Sequence, residues 1–95
     1  MIDKLTKEQS DRLINLGISA DITKDGTFTL LDILYLLPNK IRSCNLTIVE
    51  TDSFKWAVCY KGVYGILEYS DFQSNYLIHA LYDLLVWTIE TGYYD

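Results

Sequence analysis

Asp21, Thr23, Asp25, Gly26, Thr29 and Asp32 stand at positions one, three, five, six, nine and twelve of the segment DITKDGTFTLLD. EF-hand and dockerin calcium loops use this spacing to gather oxygen donors around one ion, with glycine at the sixth position for the sharp bend and an apolar residue, here Phe28, at the eighth. Three features count against that chemistry. Thr23 replaces the usual Asp or Asn, Gly17 ends the preceding helix too early, and no second loop exists to pair with this one. The competing reading is a polar connection in which Asp25-Gly26 turns the chain while Thr29 and Asp32 cap the next helix. The second reading is preferred, so no metal or cofactor is expected; calcium at Asp21, Thr23, Asp25 and Asp32 stays as the alternative.

Other reactive residues are few. His79 is the only histidine, and Asp83 lies one helical turn beyond it. An imidazole beside a carboxylate suits proton transfer, but no Ser or Cys has a reason to stand next to the pair, and two ligands do not make a zinc site. Cys44 and Cys59 lack a C-x-x-C spacing and a neighbouring base; two reduced thiols in a cytoplasmic protein is the expected state. With no phosphate-cradling glycine loop and no recognisable carboxylate pair, the sequence points away from an enzyme.

The elements that would position these residues read as one α+β domain spanning residues 1–95. LTKEQSDRLINLGI is a first short helix, capped by a Thr6–Gln9 box and closed at Gly17 with Ile18 folding back on Leu13. A second, from Thr29 to Pro38, is apolar enough to be buried on most sides, with Leu30, Ile33, Leu34 and Leu37 on one face and Leu31 and Tyr35 flanking it. Segments 45–50, 54–61 and 63–70 alternate as a three-stranded antiparallel meander. A Lys61-Gly62 hairpin loop would set Trp56 opposite Leu67 and Lys55 opposite Glu68. The core face would then hold Phe54, Trp56, Val58, Tyr60, Val63, Leu67 and Tyr69, joined by Leu46 and Ile48 if Thr51-Asp52-Ser53 forms the first hairpin loop. A Ser70–Gln73 capping box would open a long C-terminal helix ended by Gly92. This helix would pack on one sheet face and bury Trp56 and Trp87 in one core.

Charge and aromatic content bear on partners. Residues 1–61 carry eight acids and eight bases, so the net charge of −5 resides in Glu68, Asp71, Asp83, Glu90 and Asp95. That sign opposes direct binding to nucleic acid. No apolar run reaches the length of a membrane span, and no signal peptide is recognised at the start. Eight tyrosines and two tryptophans exceed what one small core hides, and such rings are enriched at partner surfaces. The outer sheet face, with Thr47, Val49, Ala57, Cys59, Tyr64 and Ile66, and the tail Tyr93-Tyr94 are the expected binding surface.

QSDRLINLGI, FTLLDILYLLPNKI, a strand holding KWAVCY, and LIHALYDLLVWTIETGYYD occur in that order. Together they resemble a family of small uncharacterised proteins from gut Bacteroides-type bacteria and their phages or mobile elements. The likeness covers most of the chain and is most specific in FTLLD…LLP and ALYDLLVWTIE-GY. It implies a setting and not an activity, and the calcium-loop residues are no part of its pattern. The expectation is a non-enzymatic accessory or interaction protein in the cytoplasm, acting through an aromatic surface on a protein partner, with a weak homodimer as a further form. The alternative is an acidic inhibitor that occupies a basic site on a host nucleic-acid enzyme.

Overall fold

The computed structural model describes residues 3–94. The acidic residue Asp95 lies outside them. Helix α1 (Lys7–Asn15) starts where Thr6 and Gln9 close a capping box: the Gln9 amide donates to Thr6 Oγ1 and the Thr6 amide to Gln9 Oε1. It stops as expected at Gly17, whose φ of +111° lets the Ile18 amide reach the Leu13 carbonyl. A short 3-10 turn, Ala20–Ile22, leads to α2 (Leu30–Leu36), where Thr29 and Asp32 form a second capping box.

Helix α2 is less buried than its composition suggests. Ile33 and Leu37 are buried and Leu30 and Leu34 pack against the core, but Leu31 and Tyr35 are 75% and 81% exposed. The helix has one buried face, because only two turns precede Pro38 and α3 covers one side. Its entry is fixed by backbone pairing. The Leu5 amide donates to the Phe28 carbonyl and the Leu30 amide to the Asp3 carbonyl, while buried Ser10 of α1 accepts from the Phe28 amide.

The sheet has five strands: β1 (Lys40–Ile41), β2 (Cys44–Glu50), β3 (Trp56–Gly62), β4 (Gly65–Ile66) and β5 (Phe72–Ser74). Their order is β1-β2-β3-β4, with β5 also on β3, and all pairings are antiparallel. The expected three-stranded meander is therefore corrected at its third strand. Val63-Tyr64, not Lys61-Gly62, makes the hairpin loop between Gly62 and Gly65, and Gly65 takes the left-handed φ of +109°. Lys61 faces Ile66, and the expected Lys55–Glu68 pair does not form. After Ile66 the chain leaves β3 for Leu67–Asp71 and returns as β5, with Phe72 opposite Val58.

Helix α3 (Leu77–Glu90) packs on β3, β5 and α2. It begins six residues later than a cap at Ser70 would place it, because Ser70 is buried between β4 and β5, where its hydroxyl accepts from the Tyr60 amide. Ile78, Ala80, Leu81, Leu84, Leu85 and Thr88 are fully buried, consistent with a helix apolar on most of its circumference. The core joins them to Phe28, Ile33, Val58 and Tyr60. Of the expected core face, Val58 and Tyr60 are buried and Leu46 and Leu67 pack against the core, while Phe54, Val63 and Tyr69 are exposed. Both tryptophans are only half-buried: Trp87 packs against the core, but Trp56 is not part of it.

Candidate functional site

The outer sheet face is assembled by register. Thr47 faces Cys59 and Val49 faces Ala57 across β2 and β3, and Ile66 faces Lys61 across β3 and β4. Directly opposed residues share a face, so Thr47, Val49, Ala57, Cys59 and Ile66 are together on the side away from α3. Val49 and Ile66 are about half exposed, at 51% and 53%. Tyr64 stands at the tip of the Val63-Tyr64 loop with its ring fully in solvent, and Val63 beside it is 95% exposed. The structure thus brings Val49, Ala57 and Ile66 onto one surface and puts Tyr64 at its rim.

Tyr93 and Tyr94 do not belong to that surface. Their amides both donate to the Thr88 carbonyl, which folds the tail back against α3. The Tyr93 ring lies 5.4 Å from the Trp87 ring, and its hydroxyl accepts from Arg42. Both tyrosines are half-buried against the core, which corrects their assignment as exposed.

Two further exposed aromatic residues lie in loops outside the strands. Phe54 and Tyr69 expose 83% and 76% of their surface and hold left-handed φ angles of 60° and 64°. Phe54 is the last residue of the loop Asp52-Ser53-Phe54, closed by the Thr51 amide on the Lys55 carbonyl. Glycine is the usual occupant of that position. Alternation through Phe54 and Tyr69 places them on the core face; nothing in the sequence marks the bends that turn them outward.

The residues 21–32 are engaged with one another. Thr23 Oγ1 donates to the Ala20 carbonyl and accepts from the Gly26 amide. Asp25 Oδ1 accepts from the Thr27 hydroxyl and amide, and its Oδ2 is 3.0 Å from Lys4 Nζ. The Thr27 bonds and the Lys4 ammonium hold this carboxyl well below the usual carboxylate range. Asp32 accepts from the Thr29 amide as a cap, and Asp21 is exposed on the 3-10 turn. Among the described residues, no three His, Cys, Asp or Glu side chains converge as a metal-binding group.

His79 stacks edge-on against Tyr76, with ring centroids 5.5 Å apart. Partial burial raises the Asp83 carboxyl, opposed by the charges of His79 and Arg12. Asp83 borders an open cleft of about 290 Å³ with Arg12, Phe72, Val86, Trp87 and Glu90, and His79 does not line it. The cleft therefore does not bring His79 and Asp83 together. Cys44 and Cys59 are free thiols, and burial pushes Cys59 up, away from reactivity. Cys59 is on the outer face and Cys44, two residues before Leu46, on the opposite one.

The four acids within 62–94 fall in two places. Glu68 and Asp71 are in the excursion between β4 and β5; Asp83 and Glu90 are on α3, where Arg12 stands 3.7 Å from Glu90. No helix among the described residues is long and apolar enough to cross a membrane. No family model matches the chain, and the curated proteins and the solved structures give no significant match.

Proposed function

We propose that this chain is a non-enzymatic interaction protein that binds a protein partner through the outer sheet face and the Val63-Tyr64 tip. The observation that carries this reading is the exposure of Val49 and Ile66 on the outer face of β2–β4 and of Val63 and Tyr64 at the hairpin tip beside it, where no helix among the described residues covers them. Burial of a large apolar side chain contributes roughly 1.5–3 kcal/mol, and these residues forgo much of it in the free protein. Tyrosine at the tip supplies contact area with little rotamer entropy to lose. Phe54 and Tyr69 add exposed rings at backbone positions where folding alone gains nothing from a large side chain. The outer face is a pleated sheet surface, while the Val63-Tyr64 tip also borders an open cleft of about 310 Å³ with Arg42, Cys44 and Leu67. The resemblance to proteins of Bacteroides-type bacteria and their phages supplies the setting, an accessory role in the cytoplasm. The acidic-inhibitor reading is weaker, because Arg12 stands beside Glu90 and offsets its charge.

The test is affinity capture from a lysate of such a bacterium with the intact chain and with the double variant Tyr64→Ser, Ile66→Thr. The expected result is a discrete protein partner, held by the intact chain and lost from the variant, with the two melting alike. Equal capture by both proteins would refute the outer-face reading.

A further inference from the structure

One edge of the sheet is open. On the far side of β2, strand β1 pairs only with Cys44 and Asn45, and the last bond there runs from the Leu46 amide to the Asn39 carbonyl. The Thr51 amide, five residues on, points the other way, to Lys55 of the β3 side. Backbone groups alternate in direction along a strand. Ile48 and Glu50 therefore aim their N–H and C=O groups away from β3, past the end of β1. No strand lies there among the described residues. Natural edges are usually guarded by lysine, proline, a bulge or a covering element. The run Asn45–Glu50 has no lysine and no proline, and its pairing with β3 is unbroken by a bulge.

We infer that this edge pairs with the β2 edge of a second copy of the chain, antiparallel, about a two-fold axis at Val49. The register follows from which groups are free. An axis at Ile48 would require the Leu46 amide, which Asn39 already occupies. With the axis at Val49, Ile48 of each copy faces Glu50 of the other, and the two pairs exchange four hydrogen bonds through groups that are otherwise unpartnered. Val49 then faces the partner's Val49 at a non-hydrogen-bonded position, where Cα atoms approach to about 4.5 Å. Since Val49 already faces Ala57, an apolar row crosses the joint on the outer face.

The charge pattern along the edge selects a second copy as the occupant. Lys40 and Arg42 are at the β1 end of the edge, and Glu50 and Asp52 at the other. Antiparallel pairing brings the basic end of each copy towards the acidic end of its partner, and symmetry repeats the match. A parallel copy would oppose like charges at both ends. The joint shares Val49 with the proposed partner face but leaves Tyr64 and Ile66 untouched, so Tyr64→Ser, Ile66→Thr, which spares the joint, separates the two readings.

Sedimentation equilibrium of the full chain from about 10 µM to about 1 mM tests this, and the expected result is a reversible monomer–dimer equilibrium that weakens with added salt. Val49 is half exposed, so Val49→Lys and Val49→Glu leave the fold intact, as circular dichroism checks. Each alone sets like charges across the axis and weakens association by at least about tenfold, and an equal mixture of the two restores it. Ile48→Pro removes one outward amide per copy without touching the β2–β3 bonds, and it also weakens the dimer. A chain that stays monomeric to about 1 mM would overturn the inference. So would a mixture of the two Val49 variants that fails to reassociate, or a dimer lost in Tyr64→Ser, Ile66→Thr but kept in Val49→Lys.

Discussion

The Ser70 hydroxyl stands 3.2 Å from the Tyr60 amide nitrogen and accepts its hydrogen bond in place of a strand carbonyl. The chain between β4 and β5 bows away from β3 at this point. The Leu67 amide donates to the Tyr60 carbonyl, and Ser70 Oγ donates in turn to the Leu67 carbonyl at 2.7 Å. Ser70 and Tyr60 are both fully buried, so one hydroxyl completes the backbone accounting of a strand whose ladder is interrupted.

Ser70→Ala strands the Tyr60 amide without an acceptor. The expected loss of stability is about 1–3 kcal/mol, the cost of an unsatisfied buried donor. Urea denaturation read by tryptophan fluorescence measures it. A loss below about 0.5 kcal/mol would show that water enters the excursion and replaces the hydroxyl.

Ser70 also marks where the sequence is legible and where it is not. The helix signals at Thr6, Gly17, Thr29 and Pro38 act over three or four residues, and the structure contains each of them. Strand pairing is non-local. Both hairpin registers expected from sequence are wrong, by two residues in the β2–β3 turn and by four beyond Gly62. Each error is even, so Val49, Ala57 and Ile66 still fall on the outer face. The excursion is a different matter. Ser70 followed by Gln73 meets every local rule for a helix start, and a buried tertiary bond to Tyr60 overrides it. Nothing in the sequence marks the left-handed turns at Phe54 and Tyr69, because neither carries the glycine that usually signals one.

Calcium is expected to bind the 21–32 segment no more tightly than about 1 mM, the weak end of such loops. Asp25 would have to give up Thr27 and Lys4, and Asp32 its helix cap. Calorimetric titration with calcium alone checks this, and a micromolar site would overturn it. The same contacts have an acid signature. The folded-state pKa of Asp25 lies below its ordinary value of 3.8, so their contribution is fully present above that pH and lost as the pH falls through the lower folded value. Asp25→Asn therefore shows a smaller drop in melting temperature than the wild type on acidification.

Trp87 is half-buried and rests against Tyr93, so Trp87→Ala costs less than removal of a fully enclosed indole. About 2 kcal/mol is expected, against the roughly 3–5 kcal/mol of a core tryptophan. Iodide should quench both tryptophans partially in the native protein and more fully in urea. Native emission that resists iodide would place the indoles deeper than this structure does.

Phe54 and Tyr69 separate stability from binding. Each holds a large side chain in a left-handed conformation that costs an ordinary residue roughly 1–2 kcal/mol. Each also leaves most of its ring in water, so little burial offsets the strain. Glycine adopts the same φ freely but adds entropy to the unfolded chain, which leaves a net gain below the full strain. Phe54→Gly and Tyr69→Gly are each expected to raise stability by about 0.5–1 kcal/mol. If these rings serve the partner surface, the same variants weaken capture of the partner while the protein melts higher. Stability and binding moving in opposite directions is an outcome that packing alone does not produce. A fall in stability above about 1 kcal/mol on either change would show that the ring is held by the fold, and would remove that residue from the binding surface.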